Sequence, residues 1–291
     1  MRSSGYMFAG QGAQYAGMGK EQFDASPAAR QIFEQADKLL GYSISRLCFE
    51  GTTEELTPCA ICQPAIYTVS VAMYRAYREK NDETPAVCGG LSLGEFSAAC
   101  VAGVFGFEEG LKLVAMRGRL MDECCQKHPG GMAAVLGGEP EVIAAACEDA
   151  GIDVANYNCP GQIVISGEEK GLAKAMETLG AKGYRVVRLT VAGAYHSRLM
   201  QPAAEEFGKV LADCPIAKPQ CGFVQNVVGG SVEEAEQIRR NLQLQVCSSV
   251  KWEQCVRTML TLTGKLIEVG PGTTLSGFMK RIDRAVPVSH A

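Results

Sequence analysis

The sequence feature that most constrains the fold is the pentapeptide GLSLG at residues 90–94, in which a serine lies between two glycines. An apolar run at residues 85–90 leads into it and predicts a buried strand, and helix-compatible residues follow at 97–104. A G-x-S-x-G sequence between a strand and a helix is typical of a nucleophile elbow, a sharp turn that exposes the serine hydroxyl. Residues 92–95, SLGE, also fit a helix capping box, so nucleophile and helix cap remain alternatives for Ser92.

A serine nucleophile requires a base, and the chain contains three histidines. His290 is the penultimate residue and is predicted to be frayed, while His128 lies in a polar turn. His196 lies where a predicted small domain returns to a larger one, and such junctions commonly form clefts. By elimination His196 is the candidate base, with a structural histidine as the alternative. No acidic residue in a distinctive motif completes a triad, and Glu95 is interpreted as a helix-start residue.

The middle of the chain predicts a separate unit. Its patterns run strand, helix, strand, strand, helix, strand, which is the split βαβ order of a ferredoxin-like unit. A length of 291 residues leaves room for such a unit inside a larger α/β domain. The small domain is predicted at residues 129–196, and residues 1–128 and 197–291 form the larger domain. The strands of the small domain are predicted at 132–136, 154–157, 162–166 and 184–191, and its helices at 140–150 and 170–179.

The remaining segments predict alternating strands and helices for the larger domain. Its further strands are predicted at 5–8, 221–227 and 265–269, and its helices at 28–40, 64–77, 108–125, 199–211, 232–244, 252–262 and 275–281.

Composition argues against several classes of protein. Lys and Arg number 28 against 32 Asp and Glu, a net charge of −4, so we expect no nucleic-acid partner. No run of 18 apolar residues and no signal-peptide pattern occur, so we expect no membrane span. Thirteen cysteines, an odd number, favour the reducing cytoplasm over a secreted disulfide framework. The CxxC at Cys59 and Cys62 has no second pair at zinc spacing, so it predicts two buried cysteines at a helix start and no metal site.

Two arginines lie two positions apart on the predicted helix 108–125. Because this spacing points Arg117 and Arg119 in different directions, one can face inward while the other stays solvated. A buried arginine needs an anionic partner, and a substrate carboxylate can bind it through two hydrogen bonds. Spacing alone favours the alternative that both arginines lie on the surface.

Seven short segments occur in a fixed order along the chain: GQGAQ at 10–14, QPA at 63–65, GLSLGE at 90–95, RGRLM at 117–121, NCPGQ at 158–162, AYHS at 194–197 and EVGPG at 268–272. Taken together, they resemble the malonyl-CoA:acyl carrier protein transacylases, the acyltransferases of fatty-acid and polyketide synthesis. The resemblance runs nearly end to end. It implies an α/β fold with an α/β-hydrolase-like large domain, an inserted ferredoxin-like (βαββαβ) subdomain, and the active site between them.

The resemblance also implies a role for each site residue. It makes Ser92 the nucleophile and His196 the general base. In place of a triad acid, a main-chain carbonyl holds the histidine, and Gln245 matches the position that provides it.

Three further residues bind the substrate in this resemblance. The backbone N–H groups of Gln11 and Leu93 form the oxyanion hole, and Arg117 pairs with the malonyl carboxylate. Members that accept malonyl groups usually have an aromatic residue before the histidine and an aliphatic one after the serine, a pattern that Tyr195 and Leu93 fit. The chain departs from the family at Leu91, where a histidine is usual, so the polarity and hydration of the site are expected to differ.

The implied reaction transfers malonyl from malonyl-CoA to the phosphopantetheine thiol of acyl carrier protein, through a malonyl ester of Ser92, in fatty-acid biosynthesis. It requires no metal and no bound redox cofactor. Three alternatives remain at this stage: a trans-acting acyltransferase of polyketide synthesis, a serine esterase or thioesterase, and a catalytically inactive module that binds the carrier protein. The last rests only on Leu91.

Overall fold

The structure is a computed structural model that describes residues 3–291. Met1 and Arg2, which begin the predicted domain 1–128, lie outside the described residues. The described chain contains ten strands in two sheets and twelve α-helices, so the predicted α/β class is confirmed.

The strands are β1 (Gly5–Phe8), β2 (Val87–Gly90), β3 (Gly131–Leu136), β4 (Asp153–Cys159), β5 (Gln162–Gly167), β6 (Arg185–Arg188), β7 (Gly222–Gln225), β8 (Gly230–Ser231), β9 (Leu266–Val269) and β10 (Val288–His290). The helices are α1 (Lys20–Ala25), α2 (Pro27–Leu40), α3 (Ile44–Glu50), α4 (Cys59–Lys80), α5 (Gly94–Val101), α6 (Phe107–Lys127), α7 (Pro140–Ala150), α8 (Glu169–Ala181), α9 (Gln201–Ala212), α10 (Ala235–Leu244), α11 (Trp252–Leu262) and α12 (Thr274–Ile282).

The larger sheet has the strand order β10-β9-β1-β2-β7-β8 and is parallel except for β8, which pairs antiparallel with β7. Strands β1, β2 and β9 are buried along their whole lengths, as expected for parallel strands covered on both faces. Both β1 and β2 end at the same edge, where Phe8 pairs with Gly90. The loops after these two strands therefore meet at the carboxyl edge of the sheet, where open α/β sheets bind ligands.

The smaller sheet has the order β4-β5-β3-β6, and every neighbouring pair is antiparallel. Helices α7 and α8 bury apolar side chains such as Ile143 and Leu172 against it, in a cluster of its own. Backbone hydrogen bonds connect the smaller sheet to the segment between α10 and α11, because Val250 accepts from Tyr157 of β4 and donates to Ala155. The smaller unit is thus attached to the chain that follows α10.

Helices α4 and α6 cross in close contact, and this crossing turns one face of α6 inward. A Cβ atom at Gly118 of α6 would lie 2.3 Å from the Cys59 carbonyl oxygen of α4, so only glycine permits the approach. Gly118 lies between Arg117, which is buried, and Arg119, which is exposed. Arg117 and Arg119 therefore flank this contact on opposite sides of α6, because residues two positions apart lie about 200° apart around a helix.

Some predicted elements differ from the observed ones. The helix predicted at 64–77 begins earlier, at Cys59, so Cys59 and Cys62 lie buried in its first turns, as expected. His290 is not frayed, because parallel pairing with β9 holds it in β10. No helix within residues 3–291 is long and apolar enough to cross a membrane. The same residues contain no group of three or more His, Cys, Asp or Glu side chains placed to hold a metal ion.

Candidate active site

The loop between β2 and α5 forms a sharp turn that requires glycine on both sides of the serine. A Cβ at Gly90 would lie 2.0 Å from the Gly94 carbonyl carbon, and one at Gly94 would lie 2.1 Å from the Phe8 carbonyl oxygen. Ser92 itself has a positive φ of 52°, a backbone conformation that residues other than glycine rarely adopt. Its side chain does not cap α5, so the structure decides against the capping alternative.

Two side chains hold the strained backbone of Ser92. Its N–H donates to Asn226 Oδ1 at 2.7 Å, and its carbonyl accepts from Gln245 Nε2 at 2.9 Å. Asn226 also donates to the Gly90 carbonyl at 2.8 Å, which ties it to the end of β2. These bonds satisfy the polar backbone groups at the tip of the turn and offset part of the cost of its conformation.

His196 contacts the serine hydroxyl directly, with Nε2 2.8 Å from Ser92 Oγ. The Nδ1 atom lies 2.8 Å from the Gln245 carbonyl oxygen. A carbonyl only accepts hydrogen bonds, so Nδ1 carries the proton and the neutral ring presents Nε2 to the hydroxyl as an acceptor. His196 is 5% exposed, and burial together with the nearby Arg117 charge lowers its pKa to about 4. The imidazole is therefore neutral and able to accept a proton at neutral pH.

Arg117 is buried beside the serine and has no carboxylate ion pair within the described residues. Its guanidinium donates to Gln63 Oε1 at 2.8 Å, to Gln245 Oε1 at 2.9 Å and to Ser92 Oγ at 3.2 Å. The Nε–H has no partner there. Burial lowers the pKa of Arg117 to about 10, so it remains a cation at neutral pH. Such a group favours an anionic ligand, because an unpaired buried charge is costly.

The loop after β1 passes beside the serine turn. Gly10 approaches so closely that a Cβ there would lie 2.4 Å from the Leu91 carbonyl oxygen. Gln11 follows it, and its side-chain amide lies 3.4 Å from Cys59 Sγ. Within residues 3–291 the backbone N–H groups of Gln11 and Leu93 donate to no protein acceptor. Both groups therefore have unused hydrogen-bonding capacity.

The structure brings Ser92, His196, Arg117 and Gln245 into direct contact. Three other residues considered in the sequence analysis lie outside this cluster. Arg119 is exposed on α6, with its Nε 3.6 Å from Glu123, so the surface alternative is right for Arg119 and wrong for Arg117. Tyr195 is buried and its hydroxyl lies 3.0 Å from Cys59 Sγ. Leu91 packs against the apolar cluster that includes Met7 and Val87.

Sequence reasoning assigned no place in the site to three polar side chains. Gln63, Asn226 and Glu95 are all fully buried, and each contacts Arg117, Ser92 or their partners. Asn226 had a usable signal, since it lies within the predicted strand 221–227 near its carboxyl end. Glu95 does lie in the first turn of α5, as interpreted, but it accepts hydrogen bonds from distant segments. Burial raises its pKa to about 7, and its three hydrogen-bond donors and Arg117 oppose that rise.

Comparison with known proteins gives a consistent picture. The family model of the acyl transferase domain matches residues 5–281. The malonyl CoA-acyl carrier protein transacylase of Bacillus subtilis (strain 168) is 38% identical over 291 residues, covering 98% of this chain and 92% of that protein.

Solved structures agree closely with this fold. The malonyl CoA-acyl carrier protein transacylase of Clostridium perfringens is similar with a TM-score of 0.95 and 38% identity, over 99% of this chain and 93% of that one. A second match, PlMCAT:AntF, is a type II PKS acyl-carrier protein in complex with its malonyl-transacylase. It gives a TM-score of 0.95 and 35% identity over 99% of this chain and 96% of that one.

Proposed function

Because the chain belongs to the acyl transferase domain family, we propose that it transfers malonyl from malonyl-CoA to the phosphopantetheine thiol of acyl carrier protein. The observation that carries the substrate assignment is Arg117, a buried cation 3.2 Å from Ser92 Oγ with an unused Nε–H. A malonyl ester of Ser92 carries its free carboxylate only three bonds from Oγ, within reach of that guanidinium. Arginine binds carboxylates through paired hydrogen bonds, so the site selects a charged acyl group.

In the first half of the reaction, Ser92 Oγ attacks the thioester carbonyl while His196 Nε2 takes its proton. The backbone N–H groups of Gln11 and Leu93 stabilise the negative oxygen that develops on the carbonyl. The carbon–sulfur bond then breaks, and the leaving sulfur of coenzyme A takes the proton from His196. The products are free coenzyme A and a malonyl ester of Ser92.

The second half reverses these steps with a different thiol. The phosphopantetheine thiol of the carrier protein gives its proton to His196 and attacks the ester carbonyl. The ester bond breaks, and His196 returns a proton to Ser92 Oγ. Gln245 orients the imidazole throughout with its backbone carbonyl, in the place that an acid occupies in a Ser-His-Asp triad. Proton transfer and charge stabilisation suffice for these steps, so we expect no metal or redox cofactor to take part.

We also propose a finer description of the fold. The antiparallel order β4-β5-β3-β6 with two helices supports a ferredoxin-like subdomain at residues 129–196. The parallel sheet with its serine turn supports an α/β-hydrolase-like domain made of residues 1–128 and 197–291. Thirteen free thiols support a cytoplasmic location. We assign the reaction to fatty-acid biosynthesis, with polyketide synthesis as the alternative that the similar type II PKS complex keeps open.

The proposed function is tested by intact-mass measurement after exposure to malonyl-CoA. We expect the protein to gain the mass of one malonyl group on Ser92, and to lose it when acyl carrier protein bearing its phosphopantetheine thiol is added. Ser92→Ala provides the control that gains no mass. Free malonate as the main product, rather than malonyl-carrier protein, would identify a hydrolase and overturn the proposal.

A further inference from the structure

Glu95 is a completely buried carboxyl group that the proposed reaction does not use. It forms no ion pair with Lys, Arg or His in the part of the chain that the structure describes. Three donors face it instead: Gln225 Nε2 at 3.1 Å, the Asn226 backbone N–H at 2.8 Å and Gln245 Nε2 at 3.1 Å. Burying such a group is costly unless hydrogen bonds replace its lost hydration, as these three donors do.

Two of these three donors belong to the residues that hold the serine turn. Asn226 binds the Ser92 N–H, and Gln245 binds the Ser92 carbonyl. Glu95 Oε2 accepts from both of them, so one carboxyl oxygen connects the supports on the two sides of Ser92. The third donor, Gln225, contacts Oε1 and extends away from the site towards Asn241.

Glu95 also contributes to the direction in which the Gln245 amide faces. The Gln245 NH₂ group has two acceptors, the Ser92 carbonyl and Glu95 Oε2. With the NH₂ held there, Gln245 Oε1 faces Arg117 and accepts from its guanidinium at 2.9 Å. The reverse orientation would place NH₂ against a cation, which has only donors to offer. The backbone carbonyl of the same residue holds His196.

We propose that Glu95 is a positioning residue for malonyl transfer, which holds Asn226 and Gln245 so that Ser92 and Arg117 keep their mutual geometry. The inference rests on the proposed function and adds a residue to it. According to this inference, two properties of residue 95 matter: it must accept hydrogen bonds, and its side chain must be as long as that of glutamate. Glutamine at position 95 keeps that reach and one acceptor oxygen, which can serve Asn226 and Gln245 together. Its NH₂ group would face Gln225, whose amide must turn to present Oε1, so the disturbance falls on the side of the network away from Ser92. Aspartate keeps the charge but is one methylene shorter.

The experiment compares Glu95→Gln, Glu95→Asp and Glu95→Ala with the wild type, measuring transfer rates from malonyl-CoA and acetyl-CoA to acyl carrier protein. The matched control is Asn241→Ala, which disturbs the far end of the same buried network through Gln225 and touches neither Ser92 nor Arg117. Thermal unfolding of each variant reports the loss of stability separately.

We expect Glu95→Asp and Glu95→Ala to lower the malonyl-to-acetyl rate ratio about tenfold or more, the effect of one buried hydrogen bond to a charged group. Glu95→Gln keeps the ratio within about threefold, and Asn241→Ala leaves it unchanged even where its unfolding temperature falls as far. If Glu95→Ala does not fold, the rate ratios of Glu95→Asp and Glu95→Gln are sufficient to test the inference.

A rate ratio in Glu95→Asp that matches Asn241→Ala would overturn the inference, as would a loss in Glu95→Gln as large as that in Glu95→Asp. Both results leave the proposed function intact, since the wild type would still transfer malonyl. A wild type that transfers no malonyl would instead refute the proposed function itself.

Discussion

Two serine–histidine pairs lie where strands of the larger sheet meet helices, and they differ in where the serine proton goes. Ser92 Oγ lies 2.8 Å from His196 Nε2, and His196 is buried. Ser276, in the first turn of α12, donates its hydroxyl proton to Glu268 Oε2. His290 Nε2 lies 3.4 Å from Ser276 Oγ, and its side chain is about half exposed.

The second group contains serine, histidine and a carboxylate, yet it is built as a helix cap. Glu268 accepts from the backbone N–H groups of Leu275 and Ser276 at 2.9 and 2.8 Å, which closes the start of α12. In the first group a backbone carbonyl lies behind the histidine, where the second group has a carboxylate. No carboxylate therefore competes for the Ser92 hydroxyl proton, and the imidazole accepts it. Residue composition alone therefore does not separate a candidate nucleophile from a helix cap, whereas the direction of each hydrogen bond does.

Replacing each serine in turn tests this comparison most strongly. Ser92→Ala is expected to lower malonyl transfer by about a thousandfold or more, because the covalent route is lost. Ser276→Ala should stay within about twofold of the wild type, because Ser276 hydrogen-bonds Glu268 and none of the residues that contact Ser92. Steady-state rates and intact mass after malonyl-CoA exposure measure both. A comparable loss in Ser276→Ala would mean that the second pair also takes part.

The arginines of α6 offer a matched test of the charge beside Ser92. Arg117→Ala should lower malonyl transfer about a hundredfold relative to acetyl transfer, the usual cost of breaking a buried charged pair. Arg119→Ala removes an exposed arginine of the same helix and should change neither rate by more than about twofold. Competition between malonyl-CoA and acetyl-CoA gives the ratio directly. Equal losses for both acyl groups in Arg117→Ala would contradict carboxylate binding.

The acidic limb of the pH profile distinguishes the two histidines. Burial and Arg117 lower the pKa of His196 to about 4. Burial raises the pKa of Glu95 to about 7, but a protonated Glu95 keeps an acceptor oxygen for Asn226 and Gln245, so the rate of Ser92 acylation should stay flat from neutral pH to about pH 5 and fall as pH approaches 4. Between pH 6.5 and 4 the unfolded chain binds more protons than the folded one, so His196 also makes the protein less stable as pH falls through that window. His290→Gln should leave the acylation profile unchanged. Stopped-flow acylation measures it, and a midpoint near 6.5 would contradict the structure.

The smallest effect concerns the helix cap. Glu268→Gln weakens the acceptor for the start of α12 and should lower the free energy of unfolding by about 1 kcal/mol, the usual loss of a cap. Malonyl transfer at 25 °C should stay unchanged. Urea unfolding measures the first quantity and the transfer assay the second. A variant that keeps its stability and loses activity would reverse the roles assigned to the two pairs.

Much of the site could be predicted because its main signals are local in the chain. The serine turn needs only a strand, two glycines and a helix, and few histidines compete for the role of base. Gln245 carries no such signal, since its backbone carbonyl is common to all residues, and only the family resemblance pointed to it. Glu95 was interpreted correctly as a helix-start residue, but its burial depends on Gln225 and Gln245, which lie 130 and 150 positions away.

The fold shows the same difference between local signals, which could be predicted, and long-range pairing, which could not. The four strands of the smaller sheet lie close to their predicted positions, because alternating patterns and the turn at residues 158–161 mark them. Strand β10 was missed, because its pairing depends on β9 and not on its own three residues. The observed α9 begins at Gln201, after a short 3-10 turn at Arg198–Met200 that apolar periodicity does not distinguish from helix.

The neutral carbonyl behind His196 has a consequence for how the enzyme chooses its acyl group. In the proposed reaction the imidazole takes the serine proton with no carboxylate behind it, and two cations, His196 and Arg117, then stand on either side of one oxygen atom. A bound malonyl carboxylate lies directly beside them, while an acetyl group leaves only the more distant Glu95 carboxyl to oppose their charge in a medium of low dielectric constant. Discrimination between the two acyl groups is therefore expected in turnover as well as in binding, with the substrate supplying the anion that the Gln245 carbonyl does not.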